Sequence, residues 1–372
     1  MSDILHLYVY RDGVRVGAVD SANSLQWAPA FADVGECKLV CGATAANRAL
    51  LAQGAVLYNP DTPGRAAVVL ATELDSAARK LTVRGKFTLQ RFAQRVAKGK
   101  TTVTDAAAGL LDVCRANLRG LEVTVPDAAG FAAPCETVDL EWVTCLDAMT
   151  QLAKTGGFGM RCAFDPATGS ETLELLQGKD RSVPGSDLYM GYFSTQMQNL
   201  SSPVYTEDAS NYANVVLCGG EEPGENDSFT RYFCEIGDTA VTGNARHELW
   251  VDGSSVKHKY TDSAGNEQTY TEAEYQTAVQ NYARAALADH LGTRQLKCSA
   301  ADSQMIYGQD YDLGDLVPVR VEEIGLEATA RVASIKIIYE STGRSLCPVF
   351  DNFTFKKGVM HFDRTDLLAA GQ

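Results

Sequence analysis

"YDLGDLVPVRV" (311–321) decides how this chain folds. An acidic turn built on Gly314 introduces a strand that begins at Leu316, and Pro318 interrupts that strand. Proline cannot donate to a sheet ladder, so Pro318 has to lie on an edge or at a bulge. After an Ile324-Gly325 turn, "LEATARVASIKIIYE" (326–340) alternates with the period of a strand. Leu326, Ala328, Ala330 and Val332 share one phase, whereas Ile335, Ile337 and Tyr339 share the other. The switch near Ala333–Ser334 predicts a β-bulge, a device that bends a strand around a curved sheet. These residues open a β module at the end of a chain that reads as helical just before it.

That helix lies in "TEAEYQTAVQNYARAALADHLG" (271–292). Thr271 and Glu274 form a capping box, Tyr275, Val279, Tyr282 and Ala286 make its apolar stripe, and Gly292 ends it. Strand patterns surround it: "NYANVVLCGG" (211–220), "SFTRYFCEIG" (228–237), "ARHELWVDG" (245–253) and "RQLKCSAADS" (294–303). Further upstream the character is mixed. "TDAAAGLLDVCRANL" (104–118) is a helix capped by Thr104 or Asp105. "TVDLEWVTCLDAMTQLAKTGG" (137–157) is another, with Trp142, Leu146, Met149 and Leu152 or Ala153 on one face and Gly156 as its stop. "FGMRCAF" and "ETLELLQG" form a hairpin around Asp165–Gly169. The N-terminal part is again β. "LHLYVYRDGVRVGAV" (5–19) folds back at Asp12-Gly13, with Leu5, Leu7 and Val9 in one phase, and "ECKLVCGAT" (36–44) is a further strand. "NRALLAQG" (47–54) reads as a short helix closed by Gly54.

The fold class is therefore α+β and β-rich: two barrel-like antiparallel β modules, N- and C-terminal, with α/β insert domains between them. The expected boundaries are 1–92 for the first module, 93–200 for an α/β insert, 201–295 for returning strands with a second insert and helix, and 296–372 for the closing module.

Charge and cysteines narrow the function. Thirty-three basic against forty-seven acidic residues in 372 give a formal charge of −14. That disfavours coating nucleic acid, which needs clustered Lys and Arg. The one basic cluster, "RGKFTLQRFAQRVAKGK" (84–100), reads as a solvated face. The start "MSDILHLYVYRDG" lacks secretory features, no apolar run is long enough to cross a membrane, and none of the ten cysteines forms a CxxC pair. They read as buried thilols kept reduced in a cytoplasm, not zinc ligands.

Candidate chemistry is sparse. Cys298 and His290 carry no nucleophile signature, and "RHELW" (246–250) reads as alternating exposed polar residues, not a metal site. "GGFGM" (156–160) is a helix stop and turn, and "CGGEEPGEND" (218–227) is too acidic for phosphate. Glu221–Glu222 and Glu322–Glu323 read as solvated pairs. Aromatics in "LYMGYF" (188–193) and "ELWVDG" (248–253) are taken as core, their other use being a sugar platform. No catalytic residue, cofactor or metal is expected.

The closing hairpin, "NYANVVLCGG" and "NYARAALADHLG" (281–292), in that order, resemble the tail-tip hub, or baseplate-hub, proteins of long-tailed phages and prophages. The resemblance touches most of the chain, although each motif alone is short. It implies a non-enzymatic structural protein of the virion tail tip, assembled in the bacterial host cytoplasm. It further implies a homotrimeric ring whose two β modules per copy adapt the sixfold tail tube to a threefold tip and let DNA pass. The implied partners are the chain itself, the distal tail protein, the tail tube and the tape-measure protein, with contact to host cell wall or glycan and no sequence-specific nucleic acid. Many relatives carry a C-terminal hydrolase; this chain stops at Gln372, so a bare hub is expected. Leu313, Gly314, Asp315, Val317, Val332, Ile335 and Ile337 are the candidates for the ring-forming module. The alternatives are a tail-associated peptidoglycan hydrolase, a host-glycan-binding tail module, or an ordinary cytoplasmic β-rich binding protein.

Overall fold

The computed structural model describes residues 6–19, 22–189, 192–224, 229–261, 266–288, 290, 292–300, 305–341 and 343–355. Leu5, Met190, Gly191, residues 225–227 of the acidic loop, His361 and the end of the closing module from 356 lie outside them.

Alternating residues at both ends of the chain assemble into one antiparallel-dominated sheet of 13 strands. Its spatial order is Leu200–Asp208, Thr293–Ala300, Gly343–Phe355, Leu326–Glu340, Ala22–Ala28, Glu36–Gly42, Lys80–Phe87, Ala66–Asp75, Val56–Tyr58, Leu7–Arg11 and Val14–Val19. Leu316–Val321 branches off Leu326–Glu340 and also pairs with Phe193–Ser194. The chain is thus β-rich α+β. Among the described residues the sheet does not close on itself. The two β modules are not separate barrels here but consecutive parts of one sheet, joined where Ile337 faces Trp27.

Leu326–Glu340 is the seam. Its first half pairs with Leu316–Val321 and its second half with Ala22–Ala28, both along the same edge. Its burial alternates, switches phase across Ala333–Ser334, and alternates again. The register against Gly343–Phe355 shifts between Val332 and Ser334, so the bulge expected from the phase switch is present. Pro318 also sits as its chemistry demands. Leu316 turns its N–H and C=O away from the seam to Lys179 and Arg181 at 2.9 and 2.8 Å. Two residues on, Pro318 faces the same side, in the gap before the Phe193–Ser194 pairing, where no ladder donor is required.

The helices follow their caps. Asp105 caps Ala106–Ala116, Thr144 caps Cys145–Gly156, and Thr271 with Glu274 forms the capping box of Glu272–Ala288. Several boundaries differ from the sequence pattern. Trp142 precedes its helix, is 56% exposed and has φ +51°, because Thr144 is the better cap. Gly157, not Gly156, takes the left-handed position that ends that helix. The short N-terminal helix is Ala45–Leu50, capped by Thr44 and finished before Gly54. Tyr282 is half-exposed; Tyr275, Ala278, Val279 and Ala283 form the buried stripe instead.

A single hydrophobic core runs through both ends of the sheet and the helices of the first insert. A second, smaller core lies between Val215–Gly219 with its flanking strands and the Glu272–Ala288 helix. Among the described residues no helix is long and apolar enough to cross a membrane.

Candidate assembly site at the module junction

The "LGD" turn is a knot. Gly314 adopts φ +87°, a conformation that L side chains rarely adopt. Its N–H donates to Val332 O at 2.8 Å, and Val332 N–H donates to Asp315 O at 2.9 Å, so the turn is clasped to the seam strand. The Asp315 carboxylate is buried. It accepts from Arg181 Nε at 2.5 Å, from Lys179 N at 2.8 Å and from Asp312 N at 3.0 Å. One side chain therefore fastens the first insert to the C-terminal strands. The pair is buried at both ends, with side-chain exposures of 9% and 4%.

Phe31 is the wedge that brings the N-terminal strands to the same point. A Cβ on Gly314 would lie 2.1 Å from its Cε2, and a Cβ on Gly159 would lie 2.2 Å from its Cδ2. Both neighbours must be glycine for the ring to fit. Phe31 N–H donates to Ala333 O, and Phe31 O accepts from Met160 N, each at 2.9 Å. The carbonyl of the bulged Ala333 is thus satisfied by the N-terminal strands, through the antiparallel bridge of Ala30 with Ser334. The Arg331 guanidinium stands 5.2 Å from the Phe31 ring centre, within cation–π range. Gly178 completes the packing, since a Cβ there would meet Gly314 O at 1.8 Å.

All of Leu313, Asp315, Val317, Val332, Ile335 and Ile337 are buried in this one chain, and Gly314 is the turn residue under Phe31. They shape the junction from inside. Phe31, Gly159, Gly178 and Arg181 were not anticipated. Glycine at the start of a strand is the available signal, because it marks close approach of another chain segment; the helix stop and turn read in "GGFGM" ends before Gly159, which opens the Gly159–Phe164 strand.

Asp351 lies opposite Arg331 across the seam. Its Oδ1 is buried with no hydrogen-bond partner among the described residues. Burial pushes its carboxyl above the usual carboxylate range, against the opposing pull of Arg331 and Lys154. A raised folded-state pKa stabilises while the group is protonated, and that stability is lost as pH rises through the folded value. Asp351→Asn should therefore match the parent in acid and exceed its stability at neutral pH. Urea midpoints compared across pH check this, and no gain for the variant at neutral pH would contradict it.

Elsewhere the chemistry-bearing residues are engaged structurally. Among the described residues no group of three or more His, Cys, Asp or Glu could hold a metal. All ten cysteines are free. Burial pushes Cys37 and Cys298 up to about 12, which keeps them as thiols at neutral pH. Cys298 Sγ faces Pro348 O, whereas His290 Nδ1 lies 3.0 Å from Ala286 O. The acidic pairs are less solvated than their sequence suggested. Glu221 accepts from His258 N at 2.8 Å and pairs with Lys257, and Glu322 takes the Ser194 and Thr195 hydroxyls. Glu248 pairs with Arg246 along an alternating strand. Trp250 is not core: it is exposed on the outer face, while Leu249 and Val251 pack inward; Phe193, by contrast, is fully buried.

Comparison with known proteins places the chain. The family model described as Siphovirus ReqiPepy6 Gp37-like protein matches residues 116–350. Among solved structures, the prophage MuSo2 43 kDa tail protein from Shewanella oneidensis is similar with a TM-score of 0.55 at 11% identity, over 93% of this chain and 98% of that one. The tail protein from Neisseria meningitidis MC58 gives a TM-score of 0.52 at 15% identity, over 95% and 97%. At such identities the likeness is one of fold. No curated protein matches by sequence.

Proposed function

The chain belongs to the family of Siphovirus ReqiPepy6 Gp37-like proteins, and from that membership we propose that it is a structural hub of a phage tail tip. The family is a siphoviral one, and the fold is that of two prophage or bacterial tail proteins, which together support a place in a phage tail. In the proposal a homotrimeric ring joins the tail tube to the tip. Residues 1–92 and 296–372 supply the ring, whereas 93–200 and 201–295 project from it. The distal tail, tape-measure and tube proteins are its neighbours, and assembly takes place in the host cytoplasm.

The observation that carries this reading is the sheet's two ends. It runs through both β modules, yet Val14–Val19 and Leu200–Asp208 each have a partner on one side only among the described residues. Val14, Val16 and Val204 are exposed there. Bare edge strands with exposed apolar side chains invite pairing with another chain. Pairing one end with the other end of the next copy is a head-to-tail contact, which closes into a ring when the rotation permits. The residues Leu313, Gly314, Asp315, Val317, Val332, Ile335 and Ile337 set the bend between the two modules and hence the curvature of that ring. A charge of −14 suits a lumen that lets DNA pass without holding it.

Gold-labelled antibody against the chain should decorate intact tails at the end remote from the capsid. Label along the tube or on the capsid would contradict the proposal. The edge contact has its own check. Val16→Arg with Val204→Arg should shift the chain from trimer to monomer by light scattering while leaving the unfolding free energy of the single chain within about 0.5 kcal/mol, as for surface substitutions. A trimer of unchanged mass would exclude these edges as the contact.

A further inference from the structure

Two cysteines of the second insert face each other across adjacent strands. Val215–Gly219 and Phe233–Gly237 pair antiparallel, and in their register Cys218 stands directly opposite Cys234. Gly220 N–H donates to Tyr232 O at 2.8 Å on one side of the pair, and Asp238 N–H donates to Asn214 O at 2.9 Å on the other. These bonds set the phase of the ladder and make Cys218 and Cys234 one of its hydrogen-bonded pairs. Such pairs hold their Cα atoms about 5.5 Å apart, within the span that a disulfide bridges. Both side chains turn into the small core beneath the Glu272–Ala288 helix. Among the described residues no other two cysteines are register partners. Cys298 and Cys347 lie on adjacent strands, but their sulfurs engage Pro348 O and the Ser299 hydroxyl instead.

The two sulfurs are not equivalent. Cys218 is fully buried, whereas Cys234 is partly exposed. The Cys218 thiol donates to the Cys234 sulfur, which raises the pKa of Cys218 and lowers that of Cys234. Burial works against the Cys234 thiolate, and Arg284 on the overlying helix works for it. Cys234 is thus the accessible nucleophile, with Cys218 as the second thiol beside it.

We propose that Cys218 and Cys234 are a redox pair that closes to a reversible disulfide by exchange with a small-molecule disulfide of the glutathione class. The Cys234 thiolate attacks one sulfur of that molecule, whose S–S bond breaks and releases one small thiolate. Cys218 then attacks the Cys234 sulfur of the mixed disulfide, and the second small thiolate leaves. The two protein thiols are oxidised, the small disulfide is reduced to two thiols, and the protons of the cysteines pass to them. Opposed Cβ atoms in a hydrogen-bonded pair stand at the wide end of disulfide geometry, so the bond is strained and readily reduced. The pair stays open in a reducing compartment and closes outside it, pinning two strands of the second insert together. This goes beyond the hub reading and does not depend on it, since both sulfurs lie in one chain and ring formation does not enter the test.

The full chain is equilibrated in mixtures of oxidised and reduced glutathione and quenched in acid. Its free thiols are then blocked with N-ethylmaleimide and its peptides mapped by mass spectrometry. Oxidised glutathione should link Cys218 to Cys234, and excess reduced glutathione should reopen the link. In Cys218→Ala, Cys234 should accumulate instead as the glutathione mixed disulfide, roughly tenfold more than any other cysteine. In Cys234→Ala, Cys218 should remain a free thiol. Blocking of both cysteines at every glutathione ratio, or mixed disulfides spread evenly over the ten cysteines, would overturn the proposal. So would a link that forms only after the chain is unfolded in urea, or one that excess reduced glutathione does not reopen. If a variant does not fold, the parent's peptide map decides the matter alone.

Discussion

Gly314→Ala is expected to destabilise the chain by about 3–5 kcal/mol, far more than an alanine usually does, because two penalties coincide. The first is conformational, since Gly314 sits at φ +87°. The second is steric, since the new methyl would lie 2.1 Å from Phe31 Cε2. The ring has little room to shift, because the same Cδ2–Cε2 edge also rests against Gly159, where an added Cβ would lie 2.2 Å from Cδ2. A double-mutant cycle separates the two penalties. In a Phe31→Ala background the steric part disappears, so Gly314→Ala should then cost only about 1–2 kcal/mol. Urea unfolding of the four chains measures this. An equal cost in both backgrounds would show that the wedge is not the cause.

Asp315→Ala should be comparably damaging, at about 3–5 kcal/mol, because it strands the buried Arg181 guanidinium. It also leaves the Lys179 and Asp312 N–H groups without their carboxylate acceptor. Replacing both members, with Asp315→Leu and Arg181→Met, removes the orphaned charge and should recover part of the loss. The remaining deficit then reports the two main-chain donors. If the single and double variants were equally unstable, the ion pair would contribute nothing beyond the space it fills.

These two sites differ in how far the sequence announces them. The acidic glycine turn, the awkward Pro318 and the phase switch at Ala333–Ser334 are local patterns, and each corresponds to a feature of the fold. They are legible because strand periodicity and proline chemistry act over neighbouring residues. The partners are not legible in that way. Phe31 meets Gly314 and Ala333 across nearly the whole chain, and Arg181 reaches Asp315 from the insert. Contacts at such separations leave no period in the sequence. The same holds for the join between the modules, where Trp27 faces Ile337 and turns two expected barrels into one sheet. Exposure misled where an aromatic stood in for burial: Trp142 and Trp250 look like core residues by type, yet both are more than half exposed. A better cap displaces the first from its helix, and strand alternation puts the second on the outer face.

The mass of the purified chain in solution, by multi-angle light scattering with electron micrographs of the same sample, tests the central claim most directly. The account predicts a trimer that appears end-on as a closed ring with a central opening. A chain that stays monomeric at micromolar concentration, or associates into open filaments, would contradict it.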